Sequence, residues 1–185
     1  VRWAADHGDT LGWDGTTLAL AGDSSGGTFV AAVAALAHDD GFDRITHQIL
    51  YYPSLDLDFD TERYPSLRDN AEGYGVETAG LKGFNSFYLD SGADPADPRV
   101  SPIKRDDLTG LPPALIVTAE YDPMRDEGEL YGARLTDAGV PATVRRYAGA
   151  NHGFVQNFSW IPEFAGVFEE TAEFLHSDLS TRQEQ

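Results

Sequence analysis

Apolar positions along the chain fall into short runs separated by longer segments of helical spacing. Residues 18–21, 45–51, 114–119 and 142–147 are short β-prone stretches closed by Gly, Pro or Asp. Residues 114–119 form a continuous apolar run, which suits a strand buried on both faces of a parallel sheet. Between these stretches lie segments predicted as helices. One is the alanine-rich run from Ser24 to about Asp39, stopped by Asp40-Gly41. Others cover 126–138, closed by Gly139, and 162–176. The long region 54–113 is rich in Asp, Gly, Pro and Tyr and is expected to hold one helix, over 78–89, with Leu81, Phe84, Phe87 and Tyr88 as its apolar side. Residues 3–7 read as the end of a helix, 8–17 as a loop, and the polar tail after Ser177 as frayed. Strands alternating with helices predict the α/β class: a parallel sheet flanked by helices, in a single domain over 1–185.

The first strand and helix meet at Gly22-Asp23-Ser24-Ser25-Gly26. The G-x-S-x-G spacing is that of a nucleophile elbow, a sharp turn holding a serine hydroxyl above the sheet at a helix N-terminus. Close passage of the strand and helix backbones predicts that a Cβ at Gly22 or Gly26 would clash. Taken alone, the pattern also suits a tight turn kept for geometry.

Composition narrows the chemistry. The chain lacks cysteine, so disulfides, thiol catalysis and Cys-ligated zinc are excluded. The five histidines show no metal-ligand spacing, and no metal or other cofactor is expected. With 31 acidic against 13 basic residues the net charge is −18, which argues against a nucleic-acid partner. No stretch is apolar for long enough to span a bilayer, and no signal peptide is visible. Lysine occurs only at Lys82 and Lys104, and the acid is dispersed instead of forming a tail. That pattern suggests a halophilic, salt-adapted cytoplasmic protein, haloarchaeal in style; an ordinary acidic enzyme is the alternative. Oligomeric state is not legible.

A serine needs a base, and the base an orienting group. In an open α/β sheet such groups lie on loops beyond the carboxyl ends of strands. Asp122 and His152 stand at the ends of the third and fourth strands, giving the chain order Ser24, Asp122, His152. Asp126, Glu127 and Glu129 fall in the first turns of a helix, where acids are expected for dipole reasons. His7, His38, His47 and His176 read as surface or packing residues.

Three blocks, Gly22-Asp23-Ser24-Ser25-Gly26-Gly27, Tyr121-Asp122-Pro123-Met124-Arg125-Asp126-Glu127-Gly128 and His152-Gly153-Phe154, resemble the signature motifs of the hormone-sensitive-lipase family of esterases, usually written GDSAGG, DPLRDEG and HGF. Ser25 stands for the usual alanine and Met124 for leucine. Ser101-Pro102 and Leu111-Pro112-Pro113-Ala114 extend the similarity over nearly the whole chain. The resemblance implies the C-terminal part of an α/β-hydrolase fold, with Ser24 as nucleophile, His152 as base and acid, and Asp122 as its partner. It also implies a small-molecule ester substrate of short to medium acyl length. Met124 and Phe154 flank the motif residues and are candidate pocket walls, although each also suits core packing. The family's upstream HGGG block, which supplies most of the oxyanion hole, has no counterpart in these residues; nor do the first strands and the N-terminal part of the cap. One donor can be assigned, the Ser25 backbone N–H. An N-terminally incomplete domain of impaired activity, with its nucleophile strand at a sheet edge, is therefore expected. Two rivals are a ligand-binding relative of the gibberellin-receptor kind, which lacks the histidine, and a peptidase of the prolyl-oligopeptidase type.

The charge pattern predicts that thermal stability rises from dilute to molar salt as self-repulsion is screened. A melting temperature that does not rise would remove the halophilic reading.

Overall fold

The computed structural model describes residues 1–182, with side chains to His176. The elements in chain order are α1 (Arg2–Asp6), α2 (Gly8–Leu11), β1 (Ala19–Asp23), α3 (Ser25–Asp39), β2 (His47–Tyr51), α4 (Ser66–Asp69), α5 (Thr78–Leu89), a 3-10 turn at Pro102–Lys104, β3 (Ala114–Tyr121), α6 (Arg125–Asp137), β4 (Ala142–Asn151), α7 (Phe154–Asn157) and α8 (Pro162–Arg182). The four strands form one parallel sheet in the order β1-β2-β3-β4. The expected α/β architecture is therefore present, with β1 at the edge of the described sheet.

Side chains of successive strand residues leave the sheet on opposite faces, and both faces are covered. Leu50, Ala114 and Ile116 pack with Val30, Ala31 and Ala35 of α3 and Tyr131 and Leu135 of α6. Ile49, Leu115 and Val117 face Phe154 of α7 and Val167 of α8. The small side chains of α3 let it lie close against β1 and β2. Of the acidic residues, Asp56, Asp122 and Glu127 are buried among the described residues.

The boundaries differ from expectation in places with physical reasons. Residues 8–11, expected as loop, make one helical turn ended by Gly12 in the left-handed conformation (φ 67°). The 54–113 region holds α4 and the 3-10 turn besides α5. β4 runs on to Asn151 because, past an irregularity between Ala119 and Tyr121, Tyr121 pairs with Asn151. α8 continues beyond 176 to Arg182, since residues 177–182 contain neither Gly nor Pro to stop it. The frayed tail expected after Ser177 is thus helical to that point, and residues 183–185 lie outside the described residues. On α5, Leu81 packs against the core, but Phe84, Phe87 and Tyr88 are exposed; the expected apolar side is only partly buried.

The elbow has the expected close approach, carried by a different pair of glycines. A Cβ on Gly22 would lie 2.3 Å from the Gly26 carbonyl oxygen, and one on Gly27 would lie 2.5 Å from Cβ of Pro53. At Gly26 itself a Cβ would meet only Asp23 Oδ1 at 3.8 Å, so the expected clash there does not exist.

Gly22→Ala should therefore lower unfolding stability by at least about 3 kcal/mol, because backbone has to move. Gly83→Ala, with nothing within 4 Å of the added methyl in exposed α5, should raise it by about 0.5–1 kcal/mol. Denaturant unfolding of both variants checks this, and equal effects would contradict it.

Candidate active site

Each strand delivers one residue to the carboxyl edge of the sheet. Ser24 is the first residue past β1, Tyr52 past β2, Asp122 past β3 and His152 past β4. The pairing sets the exits side by side in twos: Asp23 lies opposite Tyr51 and Tyr121 opposite Asn151, with β3 running four residues past Val117, the last of its residues paired with β2.

Ser24 has φ 53° and ψ −120°, an uncommon conformation for a residue with a side chain, and it caps α3. Its backbone is held on both sides. The Ser24 N–H donates to the Tyr51 carbonyl at 2.9 Å, and the Ser24 carbonyl accepts from the Ser54 N–H at 3.1 Å. Ser25 opens α3, so its N–H is among the first-turn donors with no intrahelical acceptor.

His152 joins the other two candidates. Asp122 as a carboxylate can only accept, so Nδ1–H of His152 donates to Asp122 Oδ2 at 2.7 Å. That tautomer leaves Nε2 free to accept from the Ser24 hydroxyl at 3.0 Å. The Asp122 side chain is fully buried, and its other oxygen accepts the Met124 N–H at 2.9 Å. Both carboxylate oxygens are thus occupied, which fixes the orientation of the carboxylate that His152 meets.

Several supporting residues receive no role at the site from sequence, although Asp23, Asp126 and Glu127 stand in the signature blocks. Asn70 Nδ2 donates to the carbonyls of Glu120 and Asp122, at 3.2 and 3.1 Å. Ser66 Oγ donates to the Pro123 carbonyl at 2.6 Å, and the Ser66 N–H to Asp126 Oδ2 at 2.8 Å. Glu127 receives the N–H groups of Leu55 and Asp56, one on each oxygen, both at 3.1 Å. Glu127 lies in the first turn of α6 as expected, and it also ties the acid loop to the segment that touches the Ser24 backbone. Asp23 of the elbow accepts from Gln156 Nε2 at 2.6 Å and so links the elbow to the segment after His152. Such long-range partners have no fixed spacing along a chain, and only the fold brings them together.

Beside Ser24 lies a cleft of about 420 Å³, walled by Ser25, Thr28, Phe29, Leu57, Leu81 and Met124. The two candidate wall residues part company here. Met124 borders the cleft, whereas Phe154 is fully buried behind the sheet edge, against Tyr52, Tyr147 and Phe164. The correction follows from α7 starting at Phe154, which turns that ring into the core under α8. Among the described residues no helix is long and apolar enough to cross a membrane.

Residues 1–156 match the family model described as alpha/beta hydrolase fold, and the chain belongs to that family. Esterase LipI of Mycobacterium tuberculosis is 38% identical over 182 residues, covering 97% of this chain and 53% of the relative. An arylesterase of Saccharolobus solfataricus is 37% identical over 160 residues, covering 84% and 50%. The solved structure of a Pyrobaculum calidifontis esterase superposes with TM-score 0.87 at 38% identity, covering 96% of this chain and 58% of that one. The chain spans about half the length of the curated relatives it matches. The likeness to hormone-sensitive-lipase esterases drawn from the three motifs agrees with these matches.

Burial pushes Glu127 well above the ordinary glutamate range; the two N–H bonds pull it down, and the charges of Asp56 and Asp122 add to the rise. The folded protein then keeps this proton to higher pH than the unfolded chain does. The stabilisation it brings is complete below the ordinary glutamate range and is lost as pH rises from there. The melting-temperature advantage of the wild type over Glu127→Gln should therefore be largest in acid and shrink with rising pH. An advantage that grows with pH would contradict this.

Proposed function

We propose that the protein is a serine carboxylic-ester hydrolase working through an acyl-enzyme, with Ser24 as nucleophile, His152 as general base and acid, and Asp122 as the orienting carboxylate. The observation that carries this reading is the pair of hydrogen bonds on His152, 2.7 Å to Asp122 and 3.0 Å to Ser24. Membership in the hydrolase family and the esterase names of its relatives support it. A ligand-binding relative without the histidine would have no such pair.

The steps follow from the geometry. As Ser24 Oγ attacks the ester carbonyl carbon, its proton passes to His152 Nε2 and an imidazolium forms, stabilised by buried Asp122. The tetrahedral oxyanion collapses, the C–O bond to the alcohol breaks, and the departing oxygen takes the proton from Nε2. Water then gives a proton to Nε2 as it attacks the acyl carbon, and Ser24 recovers that proton as the acid leaves. The Ser25 N–H faces the developing oxyanion. It is the donor we assign among the described residues. A polypeptide of these residues alone would turn over roughly a hundred- to a thousandfold more slowly than one given a second donor.

The apolar walls of the cleft suit a short- to medium-chain acyl group, with Met124 beside the reacting carbonyl. We read residues 1–185 as part of one hydrolase domain acting in the cytoplasm. The salt-adapted character rests on composition alone.

The test mixes stoichiometric protein with p-nitrophenyl acetate, butyrate and octanoate. A burst of about one equivalent of p-nitrophenol reports acylation even where turnover is slow. Wild type should give the burst, and Ser24→Ala should lower the acylation rate by at least about a thousandfold. Equal release by both proteins would overturn the reading.

A further inference from the structure

Three of the four strand exits hold the proposed triad. The fourth holds Tyr52, a residue the reaction as written does not use. Its backbone has φ 36°, in the left-handed region that an aromatic residue seldom enters, although no glycine is used there. The strained turn is held from both sides: the Tyr52 N–H donates to the Val117 carbonyl at 2.6 Å, and its neighbours Tyr51 and Ser54 bond the N–H and carbonyl of Ser24. The segment 51–54 is therefore clamped to the nucleophile's own backbone.

The Tyr52 side chain is 1% exposed, and its ring meets the His152 imidazole with centroids 4.8 Å apart and planes at 62°. It also meets Phe154 at 5.8 Å, which in turn contacts Phe164 of α8 at 5.2 Å. The imidazole is thus bounded by Asp122 on Nδ1, Ser24 on Nε2 and a backed aromatic ring beside its plane. Hydrogen bonds at the two ring nitrogens restrain tilt about the axis joining their partners least, and a wall beside the ring opposes that tilt. The Tyr52 hydroxyl is buried without a hydrogen bond of good geometry, and burial together with the Asp23 charge keeps it protonated. The contact with His152 is made by the ring.

We infer that Tyr52 is a positioning residue: its ring, fixed by a turn clamped to Ser24, holds the His152 imidazole in the plane that serves both Asp122 and Ser24. The inference rests on the triad reading and assigns the strained turn a purpose, since relaxing φ at Tyr52 would swing the ring off His152. Loss of the wall should act on the acylation step and leave ester binding alone, because Tyr52 does not border the cleft.

The test compares wild type, Tyr52→Phe and Tyr52→Leu by acylation burst kinetics and by proton NMR of the His152 Nδ1–H. Tyr52→Phe should acylate within about threefold of wild type and keep the far-downfield Nδ1–H signal of a histidine bonded to a carboxylate. Tyr52→Leu should acylate about 10- to 100-fold more slowly, with the ester concentration for half-maximal rate within about twofold, and should lose or broaden that signal. A folded Tyr52→Leu protein with wild-type rate and signal overturns the inference, as does a Tyr52→Phe protein as slow as Tyr52→Leu. Should the leucine variant not fold, magnetisation transfer between Tyr52 and His152 ring protons is read in wild type, and its absence overturns the inference. The NMR readouts need no ester. Failure of the hydrolase reading would show separately, as no burst from any of the proteins.

Discussion

Parallel register is the constraint on which the rest of this structure depends. Four strands pointing the same way end on one edge, and adjacent strands in a sheet are about 5 Å apart. Residues at one edge are then brought within reach by the strand ends together with the turns that follow them. Ser24, Tyr52, Asp122 and His152 are contributed by segments up to 128 residues apart in sequence, yet the Ser24–His152 contact spans 3.0 Å. The sharp turn after β1 raises the serine at the end of the sheet, and the turn after β4 carries His152 to it.

The support around the site is made of polar groups buried in pairs. Asn70, Ser66 and Glu127 each satisfy backbone groups of another segment, and each such group would cost about 1–3 kcal/mol if left without a partner. The cost falls on any arrangement that lets the acid loop drift, so these bonds act as position locks on Asp122. Apolar packing supplies the matching restraint from below, where Phe154 and Phe164 brace the histidine loop against α8.

How much of this was legible in the sequence depends on the range of the interaction. β3 reads directly because a continuous apolar run buried on both faces is a local pattern, and α5 was found to the residue for the same reason. Ser24, Asp122 and His152 were readable because the elbow and the strand-end loops carry local signatures. Of the two readings open for Phe154, core packing holds and pocket wall does not, because adjacency to a motif says nothing about which way a ring points; the start of α7 decides that. Gly26 was credited with a clash that belongs to Gly27, since the helix approaches Pro53 from a segment 26 residues away. Tyr52 had one signal available: an aromatic residue before a proline at the end of a predicted strand. It gains meaning only once the turn is seen to hold a positive φ against His152.

The central claim is that the strand ends and the turns after them make Ser24 an activated nucleophile. Treating the protein with a fluorophosphonate and mapping the adduct by mass spectrometry tests that claim most directly. The account predicts a single adduct, on Ser24, formed far more slowly when His152 is replaced by alanine. An adduct on another serine, or labelling of Ser24 at the same rate without His152, would contradict it.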